Sequence, residues 1–294
     1  QRACSAIPDD DMSLVNLALC QDALGDTQAA AQSLKQALQA NEINARAIAD
    51  LANCLIKLGD VQSALNLCEG FLEFYPHECL VIASYALALS AANATEQAHE
   101  LTDFDSLVKV YSVGSDQHDI QQINTALALQ IKNDPSLLND PVSKSTSGGA
   151  QTGELDLSFS SEFKSLNMHF AQSVRTAIND YAKNIPDTHP IHAGGPDDWS
   201  LRTWATVLSS GGRQSSHMHP LGWISGVYYV QTPDDVRNTK SNAGNLLFGV
   251  APERFKQVNA PARYHTPEEG QLVLFPSWFW HQTMPFSAAS ERIS

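Results

Sequence analysis

A stretch of about a third of the chain repeats itself at a fixed offset of 34 residues. LALCQDALGDTQAA begins at Leu17 and LANCLIKLGDVQSA at Leu51, so Cys20 maps to Cys54, Leu24-Gly25-Asp26 to Leu58-Gly59-Asp60, and Ala30 to Ala64. A weaker third copy puts Tyr85, Ala86, Leu89, Asn93 and Ala98 in the same register, and Pro76 closes the second. A period of this size holds two helices per unit. Small residues are needed where the paired helices cross, at Ala18, Ala52 and Ala86 and again at Ala30, Ala64 and Ala98. Gly25, Gly59 and Asn93 stand at the turns, where a left-handed backbone costs Gly or Asn little. One unit cannot bury its apolar face alone, so the copies are expected to stack.

On these residues the region 12–105 resembles the tetratricopeptide repeats, with Glu42 where that family often has Pro and Phe71 where it prefers Ala. The resemblance implies an α-helical array over residues 1–105 that binds a protein or peptide, or packs on its neighbour.

Charge divides the chain in two. Residues 1–108 carry 4 Lys+Arg against 15 Asp+Glu, and residues 109–294 carry 14 against 17. Between Gly59 and Val108 there is no Lys or Arg, a pattern that fits a solvated acidic face or a docking site for a basic peptide. The net charge of −14 is the wrong sign for nucleic acid. No apolar run reaches the ~18 residues of a membrane span. The first ten residues lack the basic-then-apolar order of a secretion signal. Cys4, Cys20, Cys54, Cys68 and Cys79 form no CxxC pair, so they are expected as thiols in a reducing compartment, the cytoplasm.

The period is lost over residues 106–153, read as a connector, and its Ser-, Thr- and Gly-rich end at 139–153 reads as loop. Phe163, Leu166, Phe170, Val174, Ile178 and Tyr181 predict an amphipathic helix over 162–184, with Ser161 as its N-cap. From Trp199 onward short β-rich runs alternate with turns: Ser200–Leu208, Ile224–Val230, Asn245–Val250, Gln271–Phe275 and a last one from Arg292. Residues 154–294 therefore read as a jelly-roll domain with a supporting helix, and the whole chain as an α+β, multidomain protein.

Three segments of that domain carry chemistry. In SSHMHPLGWISGVYYV, His217 and His219 are two apart, so both imidazoles face one side of an extended chain. In EEGQLVLFPSWFWHQTMPF, a strand delivers His281 just past its end, and Glu291-Arg292-Ile293-Ser294 adds an apolar-flanked cation. Three neutral imidazoles make an open site for a divalent transition metal. An Arg beside them suits a cosubstrate that chelates the metal at one end and offers a carboxylate at the other.

Over residues 197–294 these segments resemble the iron(II)/2-oxoglutarate-dependent oxygenases, in the prolyl-hydroxylase-like branch and its HxHPxxxxSGVYYV and FPSWxxHxxxP…ERIS group. The resemblance implies a double-stranded β-helix, Fe(II) as cofactor, and 2-oxoglutarate and O2 as cosubstrates. It assigns His217 and His281 as metal ligands. Arg292, Ser294 and Tyr229 would hold the far carboxylate of 2-oxoglutarate. His219 stands where the family has Asp or Glu, giving a three-histidine centre with one more positive charge. Ser294 falls where the family's final strand begins, so that strand is expected outside this sequence.

A cupin-like three-histidine metalloenzyme indifferent to 2-oxoglutarate, or a repeat scaffold with a degenerate oxygenase domain, would share most of these features. His189 and His192 are expected at the surface, or as a gate to a site mouth, and His265 in a solvated loop. Trp204, Trp223, Trp278 and Trp280 are expected as core, or as lining of a substrate pocket.

Overall fold

The computed structural model describes residues 10–113, 117–142, 144–156, 158, 160–193, 199–236, 241–255, 258 and 260–294. Cys4 lies outside them. The three repeat copies fold as helix pairs: α1 Asp11–Ala23 with α2 Thr27–Ala40, α3 Ala45–Lys57 with α4 Val61–Leu72, and α5 Cys79–Ala91 with α6 Thr95–Thr102. The periodic alanines Ala18, Ala30, Ala52, Ala64, Ala86 and Ala98 are all buried at the crossings.

The turns explain the period. Gly25, Gly59 and Asn93 have φ of 88°, 83° and 57°, the left-handed conformation expected of them. Behind each, the next N–H reaches back five residues to a helix carbonyl: Asp26 to Gln21, Asp60 to Leu55 and Ala94 to Leu89, each at 2.9 Å. Asp26 and Asp60 then cap the following helix, their carboxylates accepting from Ala29 N (3.0 Å) and Ser63 N (3.3 Å). The third copy has Ala94 at that place and no side-chain cap.

After a short turn of helix, α7 Phe104–Leu107, come β1 Lys109–Ser112, α8 Gln117–Lys132, β2 Leu138–Asn139 and β3 Thr146–Gln151. Helices α9 Ser161–Asn184 and α10 Pro190–Ala193 precede β4 Thr206–His217 and β5 Ile224–Tyr228. The chain ends in β6 Leu246–Phe248, β7 Arg263–His265, β8 Gln271–Pro276, β9 His281–Thr283 and β10 Arg292–Ile293. One antiparallel sheet has the order β1-β8-β5; the other runs β2-β3-β4-β9-β6-β7, with β10 also on β4. Their side chains join one continuous core with α9 and the repeat helices. This is the double-stranded β-helix class with its supporting helix.

Three expectations change here. The reading of 139–153 as loop is corrected, since this Ser/Gly-rich stretch holds β3, which pairs with β4; earlier in 106–153, β1 is an edge strand of the smaller sheet. The first run, read as ending at Leu208, continues to His217 through an irregularity in which Leu208 and Arg213 oppose Gly149 and Ser147. Only glycine fits there, since a Cβ on Gly212 would lie 2.4 Å from Gly148 O and 2.7 Å from Ser209 O. The cap of α9 is Ser160 rather than Ser161, accepting from Phe163 N at 3.2 Å.

The array is fastened to the β-domain. Trp278 Nε1 donates to Leu101 O (3.0 Å) and Cys79 Sγ to Gly222 O (3.0 Å). Phe104 packs against Phe248 and Phe279, and Arg263 pairs with Asp105.

Candidate metal and cosubstrate site

Strand pairing assembles the histidines. In the β4–β9 ladder His217 stands directly opposite His281, and Phe248 of β6 flanks His281 from the other side. His219 lies two residues past the end of β4, where its N–H bonds Ser277 O at 3.0 Å and its carbonyl accepts from Gly222 N at 3.1 Å. The ring centroids are 4.3 Å apart for His217 and His281, 5.2 Å for His217 and His219, and 5.0 Å for His219 and His281. One ring nitrogen from each falls within 4.8 Å of the others.

Backbone carbonyls set the tautomers. His217 Nδ1 lies 2.7 Å from Ser215 O, and His281 Nδ1 lies 2.9 Å from Phe279 O. A carbonyl can only accept, so Nδ1 carries the hydrogen and Nε2 keeps its lone pair, the arrangement a metal ligand needs. His219 Nε2 is 3.2 Å from His281 Nε2. Two nitrogens at ~2.0–2.1 Å from one metal sit about 3.0–3.4 Å apart, so this edge already has ligand spacing.

Full burial of His281 and partial burial of His217 and His219 favour the neutral form of all three rings. It lowers the pKa of His217, holds His219 down at about 4 with help from His217, and drives His281 well below the ordinary value with help from both neighbours. Neutral imidazoles can bind a metal without first losing a proton.

Arg292, opposite Leu208 on β4, is a buried cation. Arg292 is 0% exposed; its Nη1 donates to Ser294 Oγ at 3.2 Å, while Nε and Nη2 have no hydrogen-bond partner among the described residues. Its guanidinium lies 5.1 Å from the ring centroid of Tyr229, whose buried hydroxyl likewise makes no well-formed hydrogen bond. Burial raises the Tyr229 pKa to about 12, so that hydroxyl is a neutral donor. Ser294 Oγ is anchored 2.9 Å from Thr206 Oγ1. An unpaired buried guanidinium costs several kcal/mol, and a carboxylate received in fork geometry offsets that cost. The donor set therefore fits a dicarboxylate's far end, as the three imidazoles fit a divalent metal.

Other expected residues fall elsewhere. His189 is buried rather than superficial, its Nε2 2.9 Å from Glu100 O and its Nδ1 accepting from Ile191 N. His192 is half-buried, 3.2 Å from Ile185 O. His265 is not solvated either: its ring stacks on Tyr229 at 6.2 Å. Trp278 is core, Trp223 bonds Ile191 O, and Trp280 is half-buried with no partner for its indole N–H among the described residues. Trp204 alone of the four contacts a site histidine, 5.4 Å from His219 and 39% exposed.

Sequence reasoning missed Ser145, whose Oγ lies 3.5 Å from His217 Nε2. It sits in the stretch read as loop, and only the β3–β4 pairing brings it there. Asn124 was missed too. It accepts from Tyr228 Oη at 2.7 Å and ties α8 to the end of β5, next to Tyr229.

Comparison with known proteins agrees with this division. Residues 202–294 match a family described as "Putative 2OG-Fe(II) oxygenase", and residues 23–78 match the tetratricopeptide repeat. No curated protein matches the chain. Among solved structures, a prolyl-4-hydroxylase of Pseudomonas putida is 16% identical with a TM-score of 0.45, covering 65% of this chain and 91% of that one. A prolyl hydroxylase of Trichoplax adhaerens, in complex with a hypoxia inducible factor peptide fragment, is 13% identical with a TM-score of 0.43, covering 71% and 87%. HygX of Streptomyces hygroscopicus, with nickel and 2-oxoglutarate bound, is 8% identical with a TM-score of 0.43, covering 66% and 83%. Residues 202–294 thus match an iron(II)- and 2-oxoglutarate-dependent oxygenase family, behind a stretch that matches the tetratricopeptide repeats.

Proposed function

We propose that the chain is a 2-oxoglutarate-dependent hydroxylase whose Fe(II) is held by His217, His219 and His281 and whose cosubstrate is gripped by Arg292. The metal, when bound with 2-oxoglutarate, supplies the oxidising chemistry with O2. The chain's own part is positioning. Ser215 O and Phe279 O orient two ligands, Arg292 and Ser294 with Tyr229 receive the far carboxylate, and Phe275, 4.8 Å from the His281 ring, lines the site with apolar surface. Trp204, exposed beside His219, is the side chain we assign to the substrate mouth. The substrate is a protein side chain or a small molecule.

The observation that carries this reading is the buried guanidinium of Arg292, which has no carboxylate partner among the described residues and leaves Nε and Nη2 without an acceptor there, because a three-histidine enzyme indifferent to 2-oxoglutarate has no use for it. The histidines alone would serve either. Residues 1–105 form the array, 154–294 the oxygenase domain, and 106–153 join the two through β1 and β3. Cys20, Cys68 and Cys79 are reduced thiols, in keeping with the cytoplasm that we propose as the compartment. No described helix is long and apolar enough to cross a membrane.

Anaerobic titration tests the assignment. Fe(II) followed by 2-oxoglutarate is expected to give the visible absorption of a metal-chelated keto acid. His281→Ala is expected to abolish metal binding. Arg292→Met is expected to keep the metal, lose 2-oxoglutarate affinity at least about a hundredfold, and raise the melting temperature of the ligand-free protein, since it removes an uncompensated buried charge. Metal binding with no response to 2-oxoglutarate in the unsubstituted protein would overturn the reading.

A further inference from the structure

The three histidines are not held equally. His217 and His281 face each other in the β4–β9 ladder, and Ser215 O and Phe279 O orient their rings. His219 lies beyond the end of β4. Among the described residues its ring nitrogens make one hydrogen-bond contact, to His281 Nε2 at 3.2 Å. What places His219 is a turn. Pro220 fixes φ at the first corner, Gly222 N–H closes the turn on His219 O at 3.1 Å, and Leu221 at the tip is 92% exposed. With its tip in solvent, the turn can be fixed only at its ends.

One end is tied within the β-domain. His219 N–H donates to Ser277 O at 3.0 Å, and Gly222 packs so near that a Cβ on it would lie 2.6 Å from Ser277 Oγ. The other end is tied by the repeat array. Gly222 O accepts from Cys79 Sγ at 3.0 Å, and no other donor reaches that carbonyl among the described residues. Cys79 is the first residue of α5 and only 4% exposed. Burial, with Glu78 beside it, pushes its thiol up to about 12, so the S–H stays in place as a donor. The strand end that carries His281 also touches the array, through Trp278 on Leu101 O and Phe279 on Phe104. His281, however, has a ladder partner on each side and His219 has none.

We propose that Cys79 is a positioning residue of the metal centre: its S–H, donated across the domain junction to Gly222 O, fixes the turn that presents His219 to the metal. The third repeat thereby takes part in holding the metal. This role rests on the three-histidine reading of the site. Donor and packing roles of the thiol can be told apart by substitution. Valine keeps the apolar bulk of cysteine and loses the donor, whereas serine keeps a donor and brings a hydroxyl into an apolar place.

The test is the Co(II) affinity of the full chain without 2-oxoglutarate, read from the visible absorption of the bound ion, beside the melting temperature of the metal-free protein. Cys79→Val is expected to bind Co(II) about tenfold more weakly than the unsubstituted protein. Cys79→Ser is expected to stay within about threefold in affinity, yet to melt below Cys79→Val. The two readouts thus rank the variants in opposite orders. Affinity that follows the melting order, with valine at least as good as serine, would make the thiol a packing group and overturn the proposal. If all three proteins bind Co(II) alike, the positioning role falls and the metal site stands. If the unsubstituted protein binds no Co(II), the three-histidine reading falls and this role with it. Should Cys79→Val not fold, Cys79→Ala, which also lacks a donor, takes its place with the same expected loss and the same refutation.

Discussion

The array and the β-domain solve the same problem by opposite means. In the array, each helix pair is built from residues within one 34-residue period, and each turn closes on a carbonyl five residues back. In the β-domain, partners are remote. Gln151 pairs with Thr206, Arg292 with Leu208, and His217 with His281. The array reuses one local rule three times; the β-domain uses each of its contacts once. A local change should therefore cost the array a fixed, small amount, while the β-domain should respond according to what lies across the sheet.

The same small residue breaks or sharpens that contrast most. Alanine at Gly212 would put its Cβ 2.4 Å from Gly148 O and 2.7 Å from Ser209 O, both backbone atoms that cannot rotate away. Either β3 leaves β4 or the irregularity is rebuilt, and a loss of about 3 kcal/mol or more is expected in urea unfolding. Alanine at Gly59 meets nothing within 4 Å and loses only the ease of its φ of 83°. Its expected cost is about 1 kcal/mol. Equal costs at the two positions would refute the distinction.

This asymmetry also decides what was legible in the sequence. The alanine crossings, the three left-handed turns and the helix order can be read from the period because cause and effect lie within one repeat. That His217, His219 and His281 would gather was legible for another reason: histidines two apart on an extended chain share a face, and a histidine at a later strand end can meet them. What could not be read was β3. Thr146 to Gln151 is poor in strand-forming residues, and its glycines read as linker. They are there because two backbones come close: a Cβ on Gly149 would lie 2.4 Å from Val207 O. Ser145 was hidden with them. His189 and His265 were misplaced because a polar sequence context says nothing about a wall supplied from another part of the chain.

Acid separates the two regions next. His281 is buried and His217 and His219 are half-buried, and in all three desolvation favours the neutral form, so below their unfolded pKa of ~6.5 the unfolded chain binds protons that the folded site resists. Stability is therefore intact above about pH 6.5 and falls as pH drops toward the value of about 4 that His219 has in the folded protein. His219 alone accounts for about 2–3 kcal/mol of that fall. Substitution His219→Gln is expected to flatten the slope of stability against pH between 6.5 and 4. An unchanged slope would mean that the imidazole is not buried neutral.

The smallest effect tests whether the array's rule is truly modular. Ala94 has φ −80° and ψ 67°, close to Asp26 at −90° and 68° and Asp60 at −92° and 63°, and its N–H makes the same backward bond to a helix carbonyl. The backbone is thus already a capping backbone without a capping side chain. Ala94→Asp should supply the missing acceptor to the first turn of α6 and also complement that helix's positive end. Glu96 already places an acid in that turn, and its repulsion of the new carboxylate trims the gain. A stabilisation of about 0.5–1 kcal/mol is expected, read as a rise in melting temperature that high salt reduces only in part. If the third copy instead loses stability, its weaker sequence match reflects a different packing demand at the junction with α7, and the 34-residue rule stops at the second repeat.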